Sequence, residues 1–502
     1  MKALLMHPDR DFEGGLPLPE QADALTRDLE LPTLWAAMAD GDDFLLDIVR
    51  KATLLSLGND SLTVQHRQQV LADAIARAAE VRELYALAVE AIEGRKKYWF
   101  GVFTNYPHGV LSTSVELLQF FVGMLRKLRA FAESRQGLFE SPGFRTLLTM
   151  LQTEFGDDYI ATLQRHLKLL RFDHGVLISA ALGRGNEGVN YMLRLPHEKP
   201  AIWRRLLHRG PPEFGFRVHE RDEAGAHALG ELQDRGINLV ANALGQSCDH
   251  VLNFFTMLRT ELAFYVACLN LREKLIAAGA PCRLPEMAEP GALRLRCADL
   301  RDVGLVLKLG RAVVGNTVDA DGRGLIVITG ANQGGKSSFL RATGVAQLMM
   351  QAGMFVCAEA FAGERCTGLF THYKREEDAT LKSGKFDEEL ARLSDIADHI
   401  RPGGILLANE SFASTNEREG SEIARQTVHA LRERRIKLMF VTHLYDFADR
   451  LAGEHRPDTM FLRAERRDDG SRTFKLNAGE ALSTSFGEDL YAQVFGVERL
   501  ST

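Results

Sequence analysis

Several features that define other protein classes are missing from this chain of 502 residues. It has no apolar N-terminal stretch typical of a secretory signal, and no apolar run of the roughly 18 residues that a membrane helix needs. Its six cysteines are scattered and form no C-x-x-C pair, which argues against a metal site and against disulfides. The formal net charge of −6 gives no global attraction to nucleic acid or to an anionic membrane. The sequence therefore predicts a cytoplasmic protein without membrane spans, in which any nucleic-acid binding depends on local basic patches.

The length and the residue pattern indicate more than one domain. A single hydrophobic core rarely grows beyond roughly 250–300 residues, and this chain is longer. From Thr33 to about residue 280, apolar residues recur at helical spacing, and a glycine-rich stretch near 172–195 favours a small β excursion. After prolines 281, 285 and 290 the pattern changes to alternating short strands and helices. We therefore predict an irregular segment over 1–30, a helical domain over 31–290 and an α/β domain over 291–502.

The most informative stretch of the chain follows an apolar run of β-branched type, Leu325 to Ile328. It matches the phosphate-binding pattern G-x-x-x-x-G-K-[ST] at every fixed position and precedes helix-compatible sequence. Glycines let backbone N–H groups surround a phosphate, and the helix N-terminus adds a positive dipole end. The predicted nucleotide-binding residues are Gly330, Ala331, Asn332, Gln333, Gly334, Gly335, Lys336, Ser337 and Ser338. We expect a nucleoside triphosphate as the ligand, with Lys336 on the β- and γ-phosphates and the Ser337 hydroxyl on Mg²⁺.

Two further apolar strands end in polar residues. Residues 404–408 lead into Asn409 and Glu410, where phosphate-loop enzymes carry a pair of acids. We predict that Glu410 polarises the attacking water and that Asn409 contacts Mg²⁺ through water, without supplying a negative charge. Residues 437–441 lead into Thr442 and His443, and His443 is predicted to contact the γ-phosphate or the water. An exposed polar turn after the first strand, and a structural histidine after the second, are the alternatives.

Two other polar stretches have both a functional and a plain interpretation. Residues 94–99 combine basic and aromatic side chains that suit nucleic acid, but a helix end followed by a loop is the preferred interpretation. Residues 411–420 follow the catalytic strand and precede a helix. Ser414 and Glu417 stand at capping-box spacing, so the plain interpretation is that part of this segment caps the helix.

Taken together, these motifs resemble the ATPase domain of the MutS family of DNA mismatch-repair proteins. The family loop G-P-N-M-G-G-K-S-T is similar to residues 330–338, its strand-end D-E to Asn409-Glu410, and its T-H to Thr442-His443. Ser485-Phe-Gly487 is similar to the family's S-Y-G segment, and residues 64–72 resemble the start of its helical core. The resemblance implies a multidomain protein in which a helical core and lever region precedes an α/β P-loop NTPase domain of the ABC/MutS type. It also implies nucleotide, Mg²⁺ and catalytic roles for Asn332, Lys336, Ser337, Glu410 and His443.

The resemblance has three departures. Neither an F-x-E mismatch-reading motif nor a mismatch-binding domain before the helical region is found, and the family's S-T-F-x-x-E appears as residues 384–389 without Ser-Thr. The chain also ends at Thr502, before a C-terminal dimerisation element would be complete. We expect an ATPase that couples its nucleotide state to DNA binding, in mismatch repair or a related DNA transaction, and that forms an ATP-dependent homodimer. The alternative is an ATP-driven scaffold, or a nucleotide sensor with low turnover because of Asn409, acting on a protein partner.

Overall fold

The structure, a computed structural model, describes residues 1–97, 106–173, 175–195, 214–375, 384–467 and 470–482. The chain divides into two compact units. We call the first the helical unit, which comprises Met1–Ala3, Arg82–Phe139 and Arg145–Arg259. We call the second the sheet unit, which comprises Leu4–Val81, Glu140–Phe144 and Thr260–Thr502.

The chain up to residue 277 is mostly helical, as the spacing of its apolar residues predicts. Its elements are α1 (Ala22–Asp28), α2 (Leu31–Ala39), α3 (Asp43–Leu54), a 3₁₀ turn (Leu55–Gly58), α4 (Ser61–Ala76), α5 (Ala78–Arg95), α6 (Pro107–Ser134), α7 (Pro142–Glu154), α8 (Asp157–Leu169), β1 (Leu177–Leu182), a 3₁₀ turn (Arg184–Asn186), β2 (Gly188–Arg194) and α9 (Glu223–Ala277). Strands β1 and β2 form an antiparallel pair within the stretch predicted to contain a β excursion. The segment 1–30, predicted to be irregular, contains α1, whose ends carry Asp23 and Arg27 in the order that complements the helix dipole.

The remainder of the chain alternates strands and helices. Its elements are β3 (Glu286–Ala288), β4 (Leu295–Leu300), α10 (Val303–Leu309), β5 (Asn316–Asp319), β6 (Leu325–Gly330), α11 (Lys336–Gln351), β7 (Ala360–Glu364), β8 (Leu369–Tyr373), α12 (Lys385–His399), β9 (Ile405–Asn409), α13 (Glu417–Glu433), β10 (Lys437–Val441), α14 (Tyr445–Gly453), β11 (Thr459–Arg466) and β12 (Arg472–Ala478). This alternation is the pattern that the sequence predicts for an α/β region.

The main sheet has the strand order β12-β11-β6-β10-β9-β8, and its pairs are parallel except for β11 with β12. Strand β6 is fully buried from Leu325 to Ile328, and β10 is buried along its whole length. Strands covered on both faces are expected to be continuous apolar runs, which is how β6 and β10 read in the sequence. The parallel register aligns Ile328, Val441 and Asn409. The loops that follow these three strands therefore meet at one edge of the sheet.

The N-terminal residues belong to the sheet unit because buried polar side chains hold them there. The carboxylate of Glu261, fully buried on α9, accepts hydrogen bonds from the backbone N–H groups of Leu5 (2.5 Å), Met6 (3.2 Å) and Phe12 (2.7 Å). Arg67 on α4 donates to the Met6 carbonyl at 2.8 Å. The predicted boundary near residue 290 marks where the sequence pattern changes, whereas these contacts group residues 4–81 with the sheet.

Two helices, α6 and α9, are long and apolar enough to cross a membrane when judged by length and composition alone. In the most apolar 18-residue window of each helix, 50% of the window in α6 and 61% of the window in α9 is buried inside the protein. Burial of this kind is typical of a helix in a protein core, so the two helices are weak support for a membrane span. Both helices lie in the part of the chain that the structure describes, and the finding concerns that part alone.

Candidate functional site

The loop between β6 and α11 packs closely against β11. Gly330 has a positive φ of 111°, and a Cβ atom on it would lie 2.8 Å from the backbone nitrogen of Ala464. A Cβ on Gly334 would lie 2.7 Å from the Ala464 side chain. Gly335 also has a positive φ, 93°, at the position that caps α11. Glycine is required at these positions because the backbone conformation or the close packing excludes a side chain.

Lys336 is the first residue of α11 and its side chain points into the loop. The residue is 5% exposed, and its ammonium donates to the carbonyls of Gly330 at 2.8 Å and Ala331 at 2.9 Å. Burial lowers the pKa of Lys336 to about 8, while the nearby negative charge of Glu410 acts in the opposite direction. The loop thus encloses a cation close to its own backbone.

Ser337 and Asn409 meet across the edge of the sheet. The Ser337 hydroxyl donates to the side-chain oxygen of Asn409 at 2.8 Å. Both groups are oxygen donors of the kind that Mg²⁺ prefers, but neither carries a negative charge. The oxygen atoms of Ser337 and Asn409 are therefore suitable ligands for a magnesium ion. The nearby negative charge comes from Glu410.

Glu410 and His443 form a second pair at the same edge. The Glu410 carboxylate lies 3.2 Å from Nε2 of His443, and the backbone N–H of Glu410 donates to the Val441 carbonyl at 2.8 Å. The hydrogen bond from His443 holds the pKa of Glu410 below its usual range, although burial acts against this. Glu410 also has a φ of 54°, which is uncommon for a residue with a side chain. The site thus contains a carboxylate that is ionised at neutral pH and oriented by a histidine.

The structure brings together Lys336, Ser337, Asn409, Glu410 and His443, while other predicted residues lie at the margin of the site. Asn332 and Gln333 are exposed at the outside of the loop. The backbone carbonyl of Asn332 accepts a hydrogen bond from Arg472 on β12 at 3.3 Å. Ser338 and Gly335 line a neighbouring cavity. Ser485-Phe-Gly487, and Tyr98 and Trp99 of the basic and aromatic patch, lie outside the described residues.

That cavity, of about 390 Å³, adjoins the loop and has a mostly apolar lining. The lining residues are Leu300, Asp302, Leu305, Leu309, Arg311, Ala312, Val313, Val314, Asn316, Gly335, Ser338, Phe339, Ala342 and Phe474. Asn316 fixes one wall, because its amide donates to the Phe474 carbonyl at 3.2 Å and its oxygen accepts from Leu476 N–H at 2.8 Å. Sequence reasoning missed this cavity, since its walls come from segments far apart in the chain and no local pattern marks them.

The segment after β9 differs from the prediction in one respect. The capping-box spacing made Ser414 a candidate cap of α13, but the N-cap is Asn416, whose side chain accepts from the Glu419 N–H at 3.0 Å. Glu417 is the first residue of the helix, and its carboxylate accepts from the N–H of Tyr445 at 3.1 Å. Asparagine is as good a cap as serine, and its extended backbone conformation places it one residue before the helix.

Known protein families match two parts of the chain. Residues 59–278 match the MutS2 N-terminal domain, and residues 326–494 match MutS domain V. The DNA mismatch repair protein MutS of Thermus aquaticus is 32% identical over 122 residues, which is 24% of this chain and 15% of that protein. Endonuclease MutS2 of Carboxydothermus hydrogenoformans is 30% identical over 128 residues, 25% of this chain and 16% of that protein. The DNA mismatch repair protein MSH3 of Coccidioides immitis is 25% identical over 334 residues, 59% of this chain and 27% of that protein.

The matched part of this chain thus covers between 15% and 27% of the length of these relatives. Residues 1–58 lie outside both matched domains.

Proposed function

Because the two domain matches support membership of the MutS family, we propose that this chain binds and hydrolyses ATP and couples its nucleotide state to DNA binding. The observation that carries the proposal is the convergence of Lys336, Ser337, Asn409, Glu410 and His443 at the carboxyl edge of β6, β9 and β10. In parallel α/β sheets this edge is where ligands bind. In this role the chain acts in the cytoplasm, in mismatch repair or a related DNA transaction.

ATP binding would use the loop and the residues that follow it. The N–H groups at the start of α11 suit phosphate oxygens, and Lys336 would exchange the carbonyls of Gly330 and Ala331 for the β- and γ-phosphates. Mg²⁺ would be held by Ser337 directly and by Asn409 through water, and it would neutralise the charge that develops on the phosphates. The apolar cavity beside Gly335 and Ser338 has the volume and lining expected for a nucleoside base.

Hydrolysis would depend on Glu410. Its carboxylate is ionised at neutral pH, since the hydrogen bond from His443 lowers its pKa, and it can accept a proton from an attacking water. His443 would orient Glu410 or contact the γ-phosphate through the same ring. Chemistry would then be limited by the weak anionic character of the metal site, because Asn409 is neutral.

The test is steady-state ATP hydrolysis by the full chain, with and without DNA, as a function of Mg²⁺. We expect Mg²⁺-dependent turnover that changes when duplex, branched or single-stranded DNA is added. DNA binding through phosphate contacts must weaken steeply as salt rises, so the titration is repeated at two salt concentrations. Salt-independent binding, or an ATPase that ignores every DNA form, would contradict the coupling.

A second candidate is a nucleotide sensor that acts on a protein partner with little turnover. The observation that favours it is that Ser337 and Asn409, the two residues proposed to hold Mg²⁺, are both neutral. Tight ATP binding combined with negligible hydrolysis and no DNA affinity would select this candidate over the first.

The proposal includes an ATP-dependent homodimer, because residues 411–420 follow the catalytic strand and resemble a segment that faces the partner in MutS-like ATPases. Sedimentation of the Glu410→Gln protein with and without Mg-ATP tests it. We expect dimers with Mg-ATP only, since bound nucleotide would supply part of the interface. A monomer under both conditions, at tens of micromolar, would contradict the dimer.

A further inference from the structure

A buried polar group lies directly behind Glu410 and takes no part in the site described so far. It consists of His372 on β8, Glu389 on α12, and Ser411 and Phe412 in the turn after Glu410. These four residues are between 1% and 2% exposed. The His372 ring lies 2.7 Å from the Ser411 hydroxyl through Nδ1 and 3.1 Å from the Glu389 carbonyl through Nε2.

The contacts of His372 determine where its proton sits. A carbonyl oxygen can only accept a hydrogen bond, so Nε2 must carry the proton that it donates to the Glu389 carbonyl. Burial lowers the pKa of His372 to about 4, which keeps the ring neutral at physiological pH. In the neutral ring Nδ1 is then an acceptor, and it shares the single proton of the Ser411 hydroxyl with the backbone carbonyl of His372, which lies 2.8 Å from the same oxygen. His372 therefore links α12 on one side to the turn on the other.

Glu389 makes a second link between the same two elements. Its carboxylate accepts a hydrogen bond from the backbone N–H of Phe412 at 2.5 Å. Its other oxygen, Oε2, is buried and has no hydrogen-bond partner among the described residues. The Phe412 ring also packs on the His372 ring, with the centroids 5.8 Å apart. The turn is thus fixed to α12 through its backbone and to β8 through a side chain.

The turn needs such support because of its backbone conformation. Glu410 and Phe412 both lie in the left-handed region, with φ of 54° and 65°, which residues other than glycine adopt only when the surroundings impose it. The backbone N–H of Glu410 is already held by the Val441 carbonyl at 2.8 Å. Support on the opposite side comes from His372 and Glu389. Loss of that support would allow the turn to relax and would move the Glu410 carboxylate away from His443.

The geometry points to His372 as a positioning residue for Glu410: with Ser411 and Glu389, it fixes the turn that orients the catalytic carboxylate and couples that turn to helix α12. This inference rests on the proposed ATPase function. A displacement of α12 would be transmitted to the turn through the two hydrogen bonds that Glu389 makes, one with His372 and one with the backbone N–H of Phe412. A misplacement of a reacting group by about 1 Å reduces a rate on the order of a hundredfold.

The test compares His372→Leu, which removes both hydrogen bonds of the ring at similar volume, with His372→Gln, which can still donate to the Glu389 carbonyl. Both variants keep the backbone carbonyl to which Ser411 can donate. We expect His372→Leu to lower kcat by roughly tenfold to a hundredfold. ATP affinity, measured with a fluorescent ATP analogue, stays within about twofold of the original, since Lys336 and the loop are untouched. His372→Gln recovers part of kcat. Phe370→Leu, two residues earlier on the same face of β8 and part of the apolar cluster there, is the control for general destabilisation and keeps kcat.

If His372→Leu fails to fold, Ser411→Ala gives the same test by removing the hydroxyl alone. An unchanged kcat in the folded variant, or an equal loss in Phe370→Leu, would overturn the inference. Full activity of Glu410→Gln would instead overturn the proposed catalytic role, so the two failures can be told apart.

Discussion

The two sides of the candidate site are built in different ways. On the phosphate side, a continuous loop from Gly330 to Ser338 supplies most of the groups, and the strand ends at Asn409 and Val441 add the rest. On the cavity side, the walls come from α10, the segment before β5, α11 and β12. Backbone curvature and charge are local properties, whereas the shape of a cavity depends on how distant segments pack. The difference explains why one side can be read from the sequence and the other only from the structure.

Glu410→Gln, on the phosphate side, should have the largest effect. It should suppress hydrolysis and leave ATP binding unchanged. Glutamine keeps the shape but cannot accept the proton of the attacking water, so we expect hydrolysis to fall by about 10²–10⁴-fold with ATP binding intact. Single-turnover hydrolysis and equilibrium binding of labelled ATP measure the two effects. Glu422→Gln, the same change at a half-buried position of α13, is the matched control. Undiminished hydrolysis in Glu410→Gln would move the catalytic role to another residue.

Lys336→Ala should weaken ATP binding itself. The loop loses the cation that we assign to the phosphates, and hydrogen bonds to charged groups contribute about 1.5–3 kcal/mol each, so ATP affinity should fall roughly tenfold to a hundredfold. Inorganic triphosphate should lose affinity in the same proportion. Calorimetry with both ligands checks this, and circular dichroism checks that the fold is retained. Equal affinity in the variant and the original protein would refute the phosphate-loop assignment.

Val314→Trp should affect only the cavity side. Val314 lines the cavity and is 44% exposed, so the larger indole ring of tryptophan can occupy the cavity without disturbing a buried core. We expect ATP to bind about tenfold more weakly, a loss of about 1.4 kcal/mol, while inorganic triphosphate binds as before. Val314→Ala is the control for loss of the valine alone. A parallel loss for both ligands would mean that the cavity does not hold the base.

Asn409→Asp should have the smallest effect, and it acts on the metal. A new negative charge beside Ser337 strengthens the attraction to a divalent cation in a partly dry site. The Mg²⁺ concentration for half-maximal ATPase rate should therefore fall, by about threefold to tenfold if the added charge contributes roughly 1 kcal/mol. Asn416→Asp makes the same chemical change at the cap of α13 and should leave that concentration unaltered. Superimposable Mg²⁺ curves for Asn409→Asp and the original protein would contradict the metal role of position 409.

The same contrast decides how much of the molecule could be predicted. The sequence was sufficient for the strand, loop and helix around Lys336, because glycine spacing and apolar runs act within about twenty residues. It also placed Asn409, Glu410 and His443 at strand ends, and the parallel register brings those ends together. It could not identify His372, since a lone histidine within a strand has no distinguishing pattern and gains its role only from the packing of Glu389 and Ser411.

Competing local signals explain the remaining differences. At the start of α13, Ser414 and Asn416 are both good caps, and the choice depended on backbone angles that the sequence does not specify. Residues 4–81 join the sheet unit through Arg67 and Glu261, which in the sequence are two unremarkable charged residues on long helices. The hydrogen bonds that join them to residues 5, 6 and 12 go to backbone groups, and a residue pattern does not indicate such bonds.

The carboxylate of Glu261 has a consequence for the synthesis of the protein on the ribosome. Its contact with Met6 spans 255 positions of the chain, so the first residues emerge long before their binding partner exists. At translation rates of about 5–20 residues per second, that interval lasts roughly 10–50 s. During it, the N–H groups of Leu5 and Met6 lack this acceptor, although Arg67 is already present to bind the Met6 carbonyl. We expect a nascent chain arrested before residue 261 to be cut near its start by protease, and one arrested well beyond it to resist.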